Sequence, residues 1–109
     1  MTPDECLIVI TNLPDADTAD RVARRMIDER LAACANILAP CRSVYRWQGA
    51  IETAQEVPVL FKTTRANYPA LESSLRDSHP YDVPEILAVP ATGLPAYLGW
   101  VVDETRSTP

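Results

Sequence analysis

Three observations predict an α+β fold in which helices cover one face of an antiparallel sheet. Two short apolar runs, "CLIVIT" (Cys6–Thr11) and "EILAVPA" (Glu85–Ala91), lie towards opposite ends of the chain and read as buried strands. Two helical stripes follow different strands: Ala19, Val22, Ala23, Met26, Ile27 and Leu31 in one, Leu71 and Leu75 in the other. Between them, Cys34 to Thr64 alternates about Gln48-Gly49 as one long hairpin. The resulting order is β-α-β-β-α-β with a short terminal helix, which is the split-βαβ, ferredoxin-like arrangement. The 109 residues suit one domain, residues 1–109, with room for one core.

Each element has a local cause. The first strand stops in the turn chemistry of Asn12-Leu13-Pro14-Asp15. Asp15 or Asp17 then caps the first helix, which the apolar stripe carries to about Ala33. In the hairpin, Tyr45 and Trp47 share one face of the first arm, and Val57, Val59 and Phe61 share one face of the second. Pro58 cannot donate to a ladder and marks an edge or a bulge. The second helix begins near Asn67, tolerates Pro69 in its first turn, pairs Glu72 with Arg76, and stops at His79 because Pro80 follows. Thr92-Gly93 turns the chain, and Pro95 opens the last helix with Tyr97, Leu98 and Val101 apolar.

Composition removes several classes of function. The formal net charge is −5, and Arg21, Arg24, Arg25 and Arg30 are interleaved with Asp20, Asp28 and Glu29, so no basic surface is predicted for nucleic acid. Cys6, Cys34 and Cys41 lack metal-finger spacing and are odd in number, which predicts reduced thiols and a cytoplasmic protein. No apolar run approaches a membrane span of about 20 residues, and none of the residues suggests a signal peptide. One histidine, no nucleophile-elbow serine and no glycine-rich phosphate loop predict a protein without catalytic residues.

The chemistry-bearing residues gather in "HPYDVPEI" (His79–Ile86). His79 is a metal ligand, a donor to a bound anion, or a helix-ending ring bonded to backbone carbonyls, and Lys62 either holds an anionic ligand in a cleft between subunits or snorkels out of the sheet. Asp82 and Glu85 could supply hard oxygen ligands, or bond backbone and Lys62. The hairpin would project beyond its sheet with Tyr45, Trp47 and Ile51 on it, a surface that predicts burial against another subunit.

Five stretches carry a resemblance: "ERLAACANI", "SVYRWQGAIE", "FKTT", "HPYDVPEI" and "YLGWV". In this order they resemble the CutA family, the divalent-cation tolerance proteins. The resemblance implies a tight homotrimer, similar to PII-like signalling proteins, with Tyr45 and Trp47 at the interface. It implies a role in the response to divalent metal ions, copper among them; on the residues present, His79 with Asp82 or Glu85, from one chain or two, would form a weak Cu(II) or Zn(II) site. Copper-binding members carry a cysteine at the end of the first strand and two histidines before the proline; here those positions are Thr11, Ser78 and His79. The alternative is a signalling or scaffold trimer with a protein partner, whose inter-subunit clefts, lined by Lys62, Tyr81 and Glu85, bind a small metabolite.

Overall fold

The computed structural model describes residues 2–106. Its elements in chain order are β1 (Cys6–Leu13), α1 (Ala16–Asp28), β2 (Cys34–Ile37), β3 (Cys41–Trp47), β4 (Ala50–Thr64), α2 (Tyr68–Ser78), β5 (Leu87–Ala91) and α3 (Pro95–Glu104). The sheet order is β2-β4-β1-β5, all antiparallel, and β3 extends the ribbon along the far half of β4. This is the predicted α+β architecture, with the hairpin giving the molecule a long dimension of 46 Å against 25 and 23 Å.

Side-chain alternation decides which sheet face carries the core. Val9 and Leu13 on β1 lie in register with Phe61 and Val57 on β4, and all four are buried. Ala19, Val22, Ala23 and Met26 of α1 and Leu71 and Leu75 of α2 close over them. Burial of this apolar surface is the main favourable contribution to folding. Val101 of α3 is also buried, and α3 packs against β4.

The first helix starts where the sequence predicts. The Thr18 backbone N–H donates to Asp15 Oδ1 at 2.7 Å, and these bonds to Thr18 draw the Asp15 carboxyl below its usual range. Its end differs: α1 stops at Asp28 rather than near Ala33. Arg30 takes a left-handed φ of 58°, the Leu31 N–H bonds the Met26 carbonyl, and the Arg30 N–H bonds that of Ile27. This is a Schellman ending without the usual glycine, so no glycine announces it in the sequence. Two residues of the predicted stripe lie outside the deep core: Ile27, in the last turn of α1, is exposed, and Leu31, beyond the helix end, is half-buried.

The hairpin is as long as predicted, but its first arm is broken. β2 ends at Ile37 and β3 begins at Cys41, with Leu38, Ala39 and Pro40 between them. Pro58 stands opposite this gap. It sits inside β4, in register with Asn12 of β1, and of the two predicted positions it marks the bulge: Leu38, Ala39 and Pro40 oppose only Val57 and Pro58. Its carbonyl accepts from Leu38 N–H at 2.9 Å. In an extended strand the N and C=O of one residue face the same neighbour, so the missing donor of Pro58 faces the exposed Leu38 of the interrupted arm and not β1. At the tip, Gln48 and Gly49 have φ of 49° and 82°, the two left-handed residues of a type I′ turn.

Other differences are smaller. β1 runs on through Asn12 and Leu13 because both pair with β4, and the turn begins at Pro14. β5 begins at Leu87, leaving Glu85 and Ile86 in the preceding loop. Glu72 accepts a bond from the Tyr68 hydroxyl at 2.7 Å, not the predicted one from Arg76.

Candidate functional site

α2 ends at His79, whose extended backbone (ψ 134°) follows from the proline after it. The ring meets the end of β1 and is buried. Nε2 lies 2.9 Å from the Asn12 carbonyl oxygen and 3.2 Å from Thr11 Oγ1, while the Tyr81 backbone N–H points at Nδ1 from 3.3 Å. A carbonyl only accepts and an N–H only donates, so the ring is neutral with its proton on Nε2. Burial lowers the His79 pKa from its usual 6.5, against smaller upward pulls from the Asn12 carbonyl and the Glu56 charge.

This geometry defines what His79 can do. A metal needs a ring lone pair, and the only one present faces Tyr81 N–H. Of the positions matched to copper-binding members, Thr11 meets the His79 ring, but Ser78 turns towards α1. The Ser78 hydroxyl donates to the Ser74 carbonyl at 2.8 Å and receives Arg25 Nη1 at 2.8 Å. Among the described residues, no three His, Cys, Asp or Glu side chains converge as a metal-binding group. The residues present therefore do not fit a metal in this arrangement.

Beyond His79 the chain rounds the end of β1 and meets the hairpin where it leaves the sheet. The Tyr81 ring packs against His79 with centroids 4.8 Å apart. Its hydroxyl donates to Glu56 Oε2 at 3.0 Å, and burial together with that carboxylate pushes its pKa up to about 12. Asn12 Nδ2 donates to Glu85 Oε1 at 3.1 Å and anchors the other end of the loop. Between loop and hairpin lies a cavity of about 830 Å³, walled by Tyr45, Trp47, Glu56, Tyr81, Asp82 and Glu85 among others.

The sequence reading is thus regrouped. Tyr81 and Glu85, expected in a ligand cleft, share one cavity with Asp82, expected at a metal, and with Tyr45 and Trp47, expected at an interface. Lys62 is not among the residues lining it. It lies six residues along β4 from Glu56, about 20 Å at the rise of a strand, and its ammonium is held by Asn36. Glu56 and Asn12 went unnoticed in the sequence. Glu56 is one of several charged residues on the hairpin, and only the register with residues 81–85 singles it out.

Comparisons with known proteins point one way. The family model described as "CutA1 divalent ion tolerance protein" matches residues 7–104. The divalent-cation tolerance protein CutA of Thermus thermophilus is 41% identical over 99 residues, covering 90% of this chain and 96% of that protein. Its namesake from Citrobacter koseri is 40% identical over 103 residues, covering 94% and 90%. The crystal structure of CutA from Xylella fastidiosa superposes with a TM-score of 0.91 at 40% identity, covering 94% of this chain and 99% of that one. With a matching model over nearly its whole length and relatives this similar, the chain belongs to the CutA1 divalent ion tolerance family.

Proposed function

We propose that the chain acts in the response to divalent cations as a non-enzymatic homotrimer that takes up a small ligand in the cavity beside Tyr81 and Glu85. The observation that carries this reading is the cavity itself. At about 830 Å³ it falls within the range of small-molecule sites, and aromatic walls and orienting carboxylates meet in it. The bonds from Tyr81 to Glu56 and from Asn12 to Glu85 hold the walls in place before any ligand arrives.

The trimer rests on surface that water does not favour. Ile51 on the hairpin is 70% exposed, and Leu87 and Val89 on β5 are 56% and 45% exposed. Light scattering should give three times the 12.0 kDa chain mass, and a mass of one chain would refute the assembly. A cytoplasmic location, reduced thiols and a protein partner belong to the same proposal.

The second reading is a weak Cu(II) or Zn(II) site at His79 and Asp82, favoured by the family's description as divalent ion tolerance proteins. It requires the His79 ring to give up its bonds to Asn12 or Tyr81. A thermal-shift screen of metabolites beside divalent metals separates the two. Stabilisation by metabolites supports the cavity; stabilisation by metals alone supports His79.

A further inference from the structure

We propose that the cavity beside Tyr81 and Glu85 is completed by a second copy of this chain, whose Lys62 enters it and pairs with the carboxylates there, Glu85 foremost. This rests on the preceding reading of the chain as a homotrimer and names the contact through which one copy holds the next.

Lys62 is the only lysine of the chain, and it stands in the middle of an apolar sheet face. One row across the sheet is Val89, Ile8, Lys62 and Cys34, and the next is Leu87, Ile10, Leu60 and Asn36. Alternation turns this face away from Val9 and Phe61, whose side of the sheet α1 and α2 cover. Leu87 and Val89 are exposed on it, and Ile8, Ile10 and Leu60 are half-buried. The Lys62 ammonium is held by Asn36, a neutral group, and among the described residues it forms no ion pair. An apolar face of this kind is a surface for another protein. Covering it buries the ammonium as well, and a buried cation is costly without an anion against it.

The anions lie at the other end of the same face. By alternation Glu56 on β4 and Asn12 on β1 point to the side of the sheet that carries Lys62. Glu56 and Glu85 each use one oxygen on a neutral donor, Tyr81 and Asn12 respectively, and Asp82 lines the cavity with them. Neither bond removes the negative charge, and each carboxylate keeps a second oxygen that can accept from an ammonium. Among the described residues none of the three forms an ion pair. Glu85 is exposed while Glu56 is half-buried, so Glu85 is the more open to a neighbour, and its bond to Asn12 holds it in place.

Within one chain the two ends do not meet. Lys62 lies about 20 Å along the strand from Glu56, and its ammonium turns to Asn36 on β2, the side away from β1. Between copies they can. A face with a cation at one end and anions at the other is complementary to itself head to tail, and head-to-tail contacts close into rings. A ring of three uses both ends of every copy once and leaves no Lys62 without a carboxylate. Tyr45, Trp47 and Tyr81 stand in the same cavity. Aromatic faces attract an ammonium through the ring quadrupole and cover the methylene stem of a lysine.

The single lysine supplies the test. A water-soluble carbodiimide joins an amine to a carboxylate in contact with it, with no spacer between them, and Lys62 is the only side-chain amine of the protein. Treated wild type should give bands of two and three chains on a denaturing gel. Mass spectrometry of those bands should find Lys62 joined to Glu85, with Glu56 or Asp82 as lesser acceptors. Lys62→Arg keeps the charge without the amine, so it should stay trimeric by light scattering and lose those links. Lys62→Glu and Glu85→Lys should each raise the protein concentration at which the trimer dissociates by about tenfold or more, the scale of one charge-assisted hydrogen bond. The double variant, which exchanges the two charges, should recover most of that loss. A trimer whose Lys62 links to none of these three carboxylates would overturn the proposal and leave the trimer standing, as would a double variant that assembles no better than the single ones. The cross-link needs no variant, so it decides the matter where a charge reversal fails to fold. A wild-type mass of one chain would overturn the trimer and this contact together.

Discussion

The Nε2–H of His79 donates to the carbonyl of Asn12 across 2.9 Å, joining the end of α2 to the end of β1. Asn12 in turn gives its side-chain amide to Glu85, and the His79 ring accepts from Tyr81 N–H. A single buried imidazole thus fixes both the strand end and the loop that lines the cavity. Its first consequence is energetic. His79→Ala should destabilise the protein by about 1–3 kcal/mol, because it removes a packed ring and leaves a buried carbonyl unpaired. Urea unfolding at fixed protein concentration measures this, and His79→Gln should recover part of the loss.

The same ring makes stability depend on pH. Burial lowers the His79 pKa in the folded chain below the usual 6.5, so the unfolded chain binds the proton more readily. The contribution of His79 is therefore complete above pH 6.5 and is lost as pH falls from there through its lowered value. Protonation would put a second N–H on the ring, facing Tyr81 N–H. Glu56 and the Tyr81 hydroxyl are the charged and titratable groups nearest to it, and the Glu56 charge softens the effect. Melting temperatures of the wild type and His79→Gln should converge as the pH is lowered towards 5. Asp15 and Glu29, whose carboxyls are held below their usual 3.8 and 4.5, add a further loss at lower pH that both proteins share.

At the hairpin tip, Gly49 is required by conformation and not by space. Its φ is 82°, and an added Cβ would meet no atom within 4 Å. Gly49→Ala should therefore cost about 1–2 kcal/mol through backbone strain alone. Thermal unfolding reads this loss, and Gly49→Asn should cost less, because asparagine tolerates the left-handed region.

Phe61 is the largest fully buried side chain and lies opposite Val9 at the centre of the sheet. Phe61→Ala should cost about 3–5 kcal/mol, from lost transfer energy and a residual cavity. Denaturant unfolding should show a lower midpoint with an unchanged slope.

Much of this structure was legible in the sequence, and the exceptions have physical causes. Periodicity identified both helices of the core, since Val22, Met26, Leu71 and Leu75 repeat at helical spacing. Asn-Leu-Pro read as a turn, but pairing with Val57 and Pro58 holds Asn12 and Leu13 in the strand. Arg30 ends α1 in a conformation that glycine usually signals. The cluster at residues 79–85 was visible as composition, yet its division was not: His79 faces inward to β1, while Tyr81, Asp82 and Glu85 face the hairpin. That division depends on where β1 stops relative to Glu56, a relation between distant segments that local patterning does not encode.

The central claim is that the cavity beside Tyr81 and Glu85, and not the His79 ring, is the ligand site. Thermal-shift titration of wild type, His79→Gln and Trp47→Ala with a metabolite panel, Cu(II) and Zn(II) tests it most directly. The account predicts stabilisation by a metabolite that survives His79→Gln and is weakened by Trp47→Ala. Binding of the metals alone, abolished by His79→Gln and untouched by Trp47→Ala, would contradict it.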